Sequence, residues 1–313
     1  MLAYVIRRVL ATIPIMGIVA VFVFLMLHMS PGDPAVIIAG DFAGPAEVEE
    51  IRRQLGLHQP LVVQFGSWLG SLLQGDLGTS IYSGLPVTRL IGQRVEPTLL
   101  LTLCTILIAV IFAIPLGVIA AWKAGGWLDR IVMAIAVLGF SMPVFVLGYF
   151  LIAGGSMRLG WFPVQGYTSL FVNPWGFLLH ITLPAITLGV VYMALIARMT
   201  RATMLEVLNE DYIRTAYAKG VPTHRVLIKH ALKNAMVPIV TTIGLGVALL
   251  IGGVVVTESV FAIPGLGRLT VDAVLRTDYP VIQGVILVFS FAYVLLNLLV
   301  DLSYVLFDPR IRY

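Results

Sequence analysis

Six apolar runs, eighteen to twenty-five residues long and without Asp, Glu, Lys or Arg, recur along the chain between more polar stretches. They occupy residues 9–29, 98–122, 131–155, 180–197, 238–257 and 281–300. About twenty helical residues, at 1.5 Å each, cross a hydrocarbon core of roughly 30 Å. The pattern therefore predicts an all-α integral membrane protein with six transmembrane helices. Proline and glycine punctuate these runs. Pro115 and Gly117 predict a kink in the second, and Ser141-Met142-Pro143 interrupts the third. The fourth carries Pro184 and Gly189, while Gly244, Gly246, Gly252 and Gly253 suit the fifth to close helix contact. Residues 159–179 are uncharged but hold Pro163, Gly166, Asn173-Pro174 and Gly176, which reads as a loop or re-entrant segment.

The pattern changes between the first two runs. Ser30-Pro31-Gly32-Asp33-Pro34 ends the first helix, and Pro97 opens the second span. Between them, residues 45–56 predict a short helix, with Glu47, Glu49 and Glu50 near its start, Arg52 and Arg53 near its end, and Gly56 closing it. Val62, Phe65, Leu69, Leu72 and Leu73 then recur at helical spacing over 61–74. That face suits either the membrane surface or packing against the chain's own helices. Gly75-Asp76-Leu77-Gly78 ends the helix.

Composition agrees with the pattern: 59% of residues are hydrophobic and 12% charged, against about 25% charged in soluble domains. The lone Cys104 lies inside a run, so no disulfide framework is possible. The amino-terminal run has no small-residue cleavage site and reads as a retained span. An even number of spans puts both termini on one side. With that side taken as cytoplasmic, thirteen Lys and Arg fall inside and seven outside, four of the seven in the long loop that the positive-inside rule weighs least. The net charge of +4 is thus a matter of topology and membrane lipid; no nucleic-acid partner is expected.

The Walker-A phosphate loop and the H-E-x-x-H zinc motif are both absent, and Gly265-Leu266-Gly267 lacks the rest of a dinucleotide fingerprint. The five histidines do not fall at ligand spacing, so neither a metal site nor a catalytic residue is expected. Ion coupling calls for ionisable groups within the spans; here Glu258 and Asp301 stand only at span ends, in capping or snorkelling positions. Uphill transport by such a chain needs energy from another one. The feature suited to receive it is the polar stretch 209–238, which reads as two short helices, with Gly220 ending the first and Pro222 in the first turn of the second. Ile213, Ala216, Tyr217 and Gly220 form a small apolar strip suited to a groove on another protein. Arg225, Lys229 and Lys233 form a basic face opposite Leu227, Ala231 and Leu232.

At these residues the chain resembles a known family. Asp211-Tyr212-Ile213-Arg214-Thr215-Ala216-Tyr217-Ala218-Lys219-Gly220, followed by His230-Ala231-Leu232-Lys233-Asn234-Ala235, is similar to the cytoplasmic loop of ABC-transporter permeases of the dipeptide/oligopeptide importer branch, the binding-protein-dependent inner-membrane components. The wider family has Glu-Ala-Ala, three residues, then Gly; aligned on Gly220, this chain has Arg214-Thr215-Ala216 instead. The likeness extends through Gln54-Leu55-Gly56-Leu57, Gly75-Asp76-Leu77-Gly78, Arg198-Met199-Thr200-Arg201, Pro264-Gly265-Leu266-Gly267-Arg268 and Asp308-Pro309-Arg310. It implies a type I ABC importer permease fold in a prokaryotic inner membrane, with both termini cytoplasmic. It also implies a homologous second permease, two ATPase subunits that bind ATP and magnesium, and an extracytoplasmic solute-binding protein. The expected division is a first segment 1–29, a helical extracytoplasmic region 30–93, a transmembrane domain 94–305 with a coupling hairpin at about 209–237, and a tail 306–313. The coupling helix falls on Tyr212, Ile213, Arg214, Thr215, Ala216, Ala218, Lys219 and Gly220. Met142 and Phe145, beside Pro143, are candidates for the pathway wall or for core packing. Cargo is a peptide, or in relatives of the branch glutathione, nickel or another small solute. An intramembrane enzyme or scaffold would need paired polar groups within the spans.

Overall fold

Helix accounts for most of residues 2–29, 34–39, 44–54 and 56–307, which the computed structural model describes. The order is α1 (Leu2–Met29), α2 (Pro34–Ala39), α3 (Pro45–Gln54), α4 (Leu61–Leu73), α5 (Val87–Trp122), α6 (Trp127–Ser141), α7 (Val144–Leu151), α8 (Pro174–Leu208), α9 (Asp211–Ala218), α10 (Thr223–Arg225), α11 (Lys233–Val260), α12 (Leu266–Leu275) and α13 (Tyr279–Phe307). Wider π turns extend α7 over Ile152–Arg158 and join α10 to α11 over Val226–Leu232. The expected helix end at Ser30-Pro31-Gly32-Asp33 and the tail from Asp308 lie outside the described residues.

Among the described residues, four helical segments are long and apolar enough to cross a membrane: Val87–Trp122, Pro174–Leu208, Thr223–Val247 and Tyr279–Val300. A fifth is a broken pair, Trp127–Ser141 with Val144–Arg158, bent by 104°. The third predicted span is therefore not one straight helix. Pro143 has no N–H and forces the residue before it out of the helical region, and Met142 is extended at φ −84° and ψ 127°. The second span also differs from expectation. Its helix begins at Val87 rather than after Pro97 and runs through both Pro97 and Pro115.

The chain divides into two compact units, one built mainly on Arg94–Leu269 and the other on Ile6–Gln93 with Thr270–Val294. In the first, α8 is the central helix, packed on by α6, α7 and α11. Small residues let neighbours approach it. A Cβ added to Gly117 would stand 2.6 Å from the Thr200 side chain, and one on Gly246 would collide with the Tyr192 ring. On α5, Leu101, Thr105, Ala109 and Ala113 are fully buried, while Leu99, Leu103, Leu107 and Ile111 are at least half exposed at four-residue spacing. An apolar stripe on the outer face of a span has lipid as its solvent.

Glu258, near the end of α11, is fully buried. Its carboxylate accepts from the Thr98 hydroxyl (2.6 Å) and the Arg268 backbone N–H (2.9 Å), while the Thr98 oxygen accepts from Leu266 N–H (2.8 Å). The capping position predicted for Glu258 is correct, and it caps the first turn of α12 rather than its own helix. Gly265 has no side chain because the carboxylate occupies that place.

In the second unit, Phe24 of α1 meets Phe65 and Trp68 of α4 at ring separations of 5.3 and 5.7 Å. Ser80 donates to the buried Asp278 carboxylate at 2.5 Å, and Ile81 N–H donates to its other oxygen at 3.1 Å. The helices at 45–54 and 61–73 match the predicted ones, and Gly56 closes the former at φ 65°.

Candidate coupling site

The α8–α11 connection is where the polar stretch folds. Asn209 ends α8, and the Glu210 carbonyl opens α9 by accepting from Ile213 N–H at 3.1 Å. Asp211 stands in the first turn, favourably placed on the helix dipole. The other end is a Schellman closure: Gly220 N–H donates to Tyr217 C=O (2.9 Å) and Val221 N–H to Ala216 C=O (3.1 Å), with Gly220 at φ 75°. Only glycine reaches that backbone region without strain. Pro222 then caps the next helix, its carbonyl accepting from Arg225 and Val226 N–H. The predicted break is where it was expected.

The second half of the hairpin differs from its prediction. It is not a separate short helix, because α10, the π turns and α11 are helical without interruption from Thr223 to Val260. The second half of the hairpin and the fifth predicted span are therefore one helix.

The predicted apolar strip also divides. Ile213 (1% exposed) and Ala216 (9%) turn inward onto Met204, Val226, Leu227 and Ala231, all buried. They anchor α9 and are not available to a partner's groove. Burying Ile213 alone contributes about 1.5–3 kcal/mol. Tyr212, Arg214, Thr215, Tyr217, Ala218, Lys219 and Gly220 are exposed. The Tyr212 hydroxyl accepts from Asn234 Nδ2 at 2.8 Å, which ties α9 to the first turn of α11. The Arg214–Asp211 pair, at 3.3 Å between exposed side chains, contributes little. Arg225, Lys229 and Lys233 are exposed opposite the buried Leu227 and Ala231, as predicted.

A second tie was missed from sequence. Arg201 on α8 donates from Nε and Nη2 to the two carboxylate oxygens of Asp129, at 2.5 and 2.7 Å, and Gly125 N–H donates to Asp129 at 2.9 Å. The Asp129 carboxylate is buried, and the pair with Arg201 is its charge partner. The signal was Asp129 itself, the lone acid in a short basic turn. Met142 and Phe145 are both exposed beside the break.

Residues 113–313 match the family described as binding-protein-dependent transport system inner membrane component, and residues 1–87 match the amino-terminal domain of such components. The chain belongs to this family of ABC-importer permeases. Among curated relatives it is 52% identical, over 99% of both chains, to the "Probable peptide ABC transporter permease protein y4tP" of Sinorhizobium fredii. It is 49% identical, over 100% of both chains, to the glutathione transport system permease protein GsiC of Pectobacterium atrosepticum. Among solved structures it resembles a chain of the inward-facing MetNI methionine ABC transporter, with a TM-score of 0.59 and 20% identity over 70% of this chain and 96% of that one. That likeness is one of fold: the type I permease fold. As a family member, the chain is a membrane permease subunit of an importer.

Proposed function

We propose that this permease forms half of the translocation pathway of an ATP-driven importer for peptides, and that α9 is its coupling helix. The observation that carries the reading is the construction of α9: anchored inward by Ile213 and Ala216, closed by Gly220, joined by a tight turn to the helix that starts at Thr223 and runs into the fifth span, and exposing Tyr212, Arg214, Thr215, Ala218 and Lys219. A helix held on one side and bare on the other suits a partner that pushes on it. The partners are two cytoplasmic ATPase subunits, which bind ATP and magnesium and hydrolyse the nucleotide. A homologous permease completes the pathway, and an extracytoplasmic solute-binding protein delivers the cargo. Closure of the ATPase pair moves the coupling helices and switches the pathway between its two openings.

In this reading α1, whose apolar part is Leu10–Met26, adds a sixth crossing. Both termini and α9 then lie in the cytoplasm, and the 30–93 region lies outside the inner membrane of a prokaryotic cell, ahead of a transmembrane domain at 94–305. Relatives named for peptide and for glutathione transport frame the cargo class. Glutathione is the second reading, with nickel or another small solute carried by the same architecture behind it.

Gly220→Asp tests the coupling role. Open space surrounds the site, so the substitution strains the backbone and adds charge without a collision. The expected result in proteoliposomes holding the complete importer is normal assembly, loss of dipeptide uptake, and ATP hydrolysis no longer stimulated by the solute-binding protein. Uptake at the wild-type rate overturns the assignment.

A further inference from the structure

Arg198 and Arg201 lie three residues apart on α8 in opposite surroundings. Arg201 is neutralised by Asp129. Among the described residues Arg198 has no carboxylate within ion-pair distance; its guanidinium lies over the Phe140 ring, 5.9 Å from the centroid. An arginine at the end of a span ordinarily turns outward to water and headgroups. Arg198 is exposed, yet its guanidinium is directed along the helix toward Phe140. Asp129 beside Arg201 and Gly139 beside Val190 show that α6 and α8 run antiparallel. Phe140 therefore sits near the level of Val190, about 12 Å along α8 from Arg198 toward the middle of the span.

Between the two helices lies a groove of about 90 Å³, lined by Met133, Ala136, Phe140, Ser141, Ala194 and Arg198 among others. Ser141 is the last residue of α6, so the groove ends where the span breaks. Broken backbone inside a membrane is tolerated where it lines a cavity, and discontinuous spans are where transported solutes are held. The Ser141 hydroxyl already donates to Val137 C=O at 2.8 Å, so the charged donor that the groove offers an anion is Arg198. Contact with an aromatic face is weaker than a bidentate carboxylate pair. Phe140 thus positions the guanidinium without satisfying it.

We propose that this groove is a carboxylate-binding station for the cargo, with Arg198 as its cation. The proposal rests on the importer reading and narrows its cargo to solutes with a free carboxylate, which dipeptides and glutathione share. The same guanidinium chemistry would also accept a lipid phosphate, so the test separates the two.

The test uses the complete importer in nanodiscs, carrying Ser141→Cys in a Cys104→Ala background, and follows alkylation of the new thiol by a maleimide. The probes are dialanine, its carboxy-terminal amide, and S-methylglutathione. Saturating dialanine is expected to slow labelling about tenfold, as is S-methylglutathione, while the amide leaves it unchanged. Arg198→Gln abolishes the protection and Arg198→Lys keeps part of it. Absence of protection by both carboxylate probes, or equal protection by the amide, overturns the proposal. So does labelling that is slow without cargo in discs containing phosphatidylglycerol, fast in pure phosphatidylcholine, and relieved by Arg198→Gln, because the occupant is then lipid. Uptake of the same probes is measured in parallel proteoliposomes. Protection without uptake counts against the importer reading alone, and uptake without protection counts against the station alone.

Discussion

Single side chains decide whether the carboxy-terminal end of α8 holds its neighbours. The Asp129 carboxylate is buried and meets two guanidinium nitrogens and one backbone N–H. Removing its charge leaves Arg201 facing the site unpaired. Losing one partner of a buried pair costs about 3–5 kcal/mol, and Arg201, still 28% exposed, places this case at the lower end, about 3 kcal/mol. Asp129→Asn is therefore expected to lower the unfolding temperature of the detergent-solubilised protein, read by a thermal-shift assay. Residue identity gave partial warning of such roles. Gly220 was legible because a left-handed helix end has a sequence signature. The Asp129–Arg201 pair was not, because its members stand 72 positions apart and only the antiparallel run of α6 and α8 joins them.

At the scale of elements, apolar periodicity located the helices and misjudged their continuity. Hydropathy is blind to a change of direction inside an apolar run, so the third span read as one helix although Ser141-Met142-Pro143 was visible in it. It is equally blind to a polar first turn on a span, so the apolar run starts eleven residues after α5 does and separates α11 from the hairpin. Propensity marked where a break was possible. Whether the chain bends there was settled by packing: Gly148 of α7 comes close enough to Val260, Phe261 and Thr187 that an added Cβ would touch all three. The bend has a measurable length. A straight helix would hold positions 127 and 157 about 45 Å apart at 1.5 Å per residue, whereas two arms bent away from straight by the observed 104° hold them about 26 Å apart. Trp127 and Met157 are both well exposed, at 69% and 73%, so spin labels there should not disturb the core. Electron–electron double resonance is expected to give the shorter distance, and a peak near the longer one would mean an unbroken third span.

For the whole molecule, the coupling reading depends on the parity of the crossings. Two successive spans, α8 and the helix running into α11, are joined by α9, so α9 and the amino terminus share a side only if an even number of crossings precedes α9. With α1 counted there are four: α1, α5, the broken α6–α7 pair and α8. Two more, α11 and α13, bring the carboxy terminus back to the same face. On that count, thirteen of twenty Lys and Arg would share the face of α9, the distribution that the positive-inside rule expects of a cytoplasmic face. If α1 instead lay along the membrane, the amino terminus would stand opposite the carboxy terminus, while α9 and the carboxy terminus would still agree. Three reporters therefore separate the alternatives in one strain: an epitope at each end, and a cysteine at the exposed Thr215 in a Cys104→Ala background. In intact spheroplasts all three are expected to be shielded from antibody and from membrane-impermeant maleimide, and to react after permeabilisation. An amino-terminal epitope that alone reacts from outside would reduce the crossings to five and leave coupling intact. A Thr215→Cys thiol that reacts from outside would put α9 beyond the reach of any cytoplasmic ATPase.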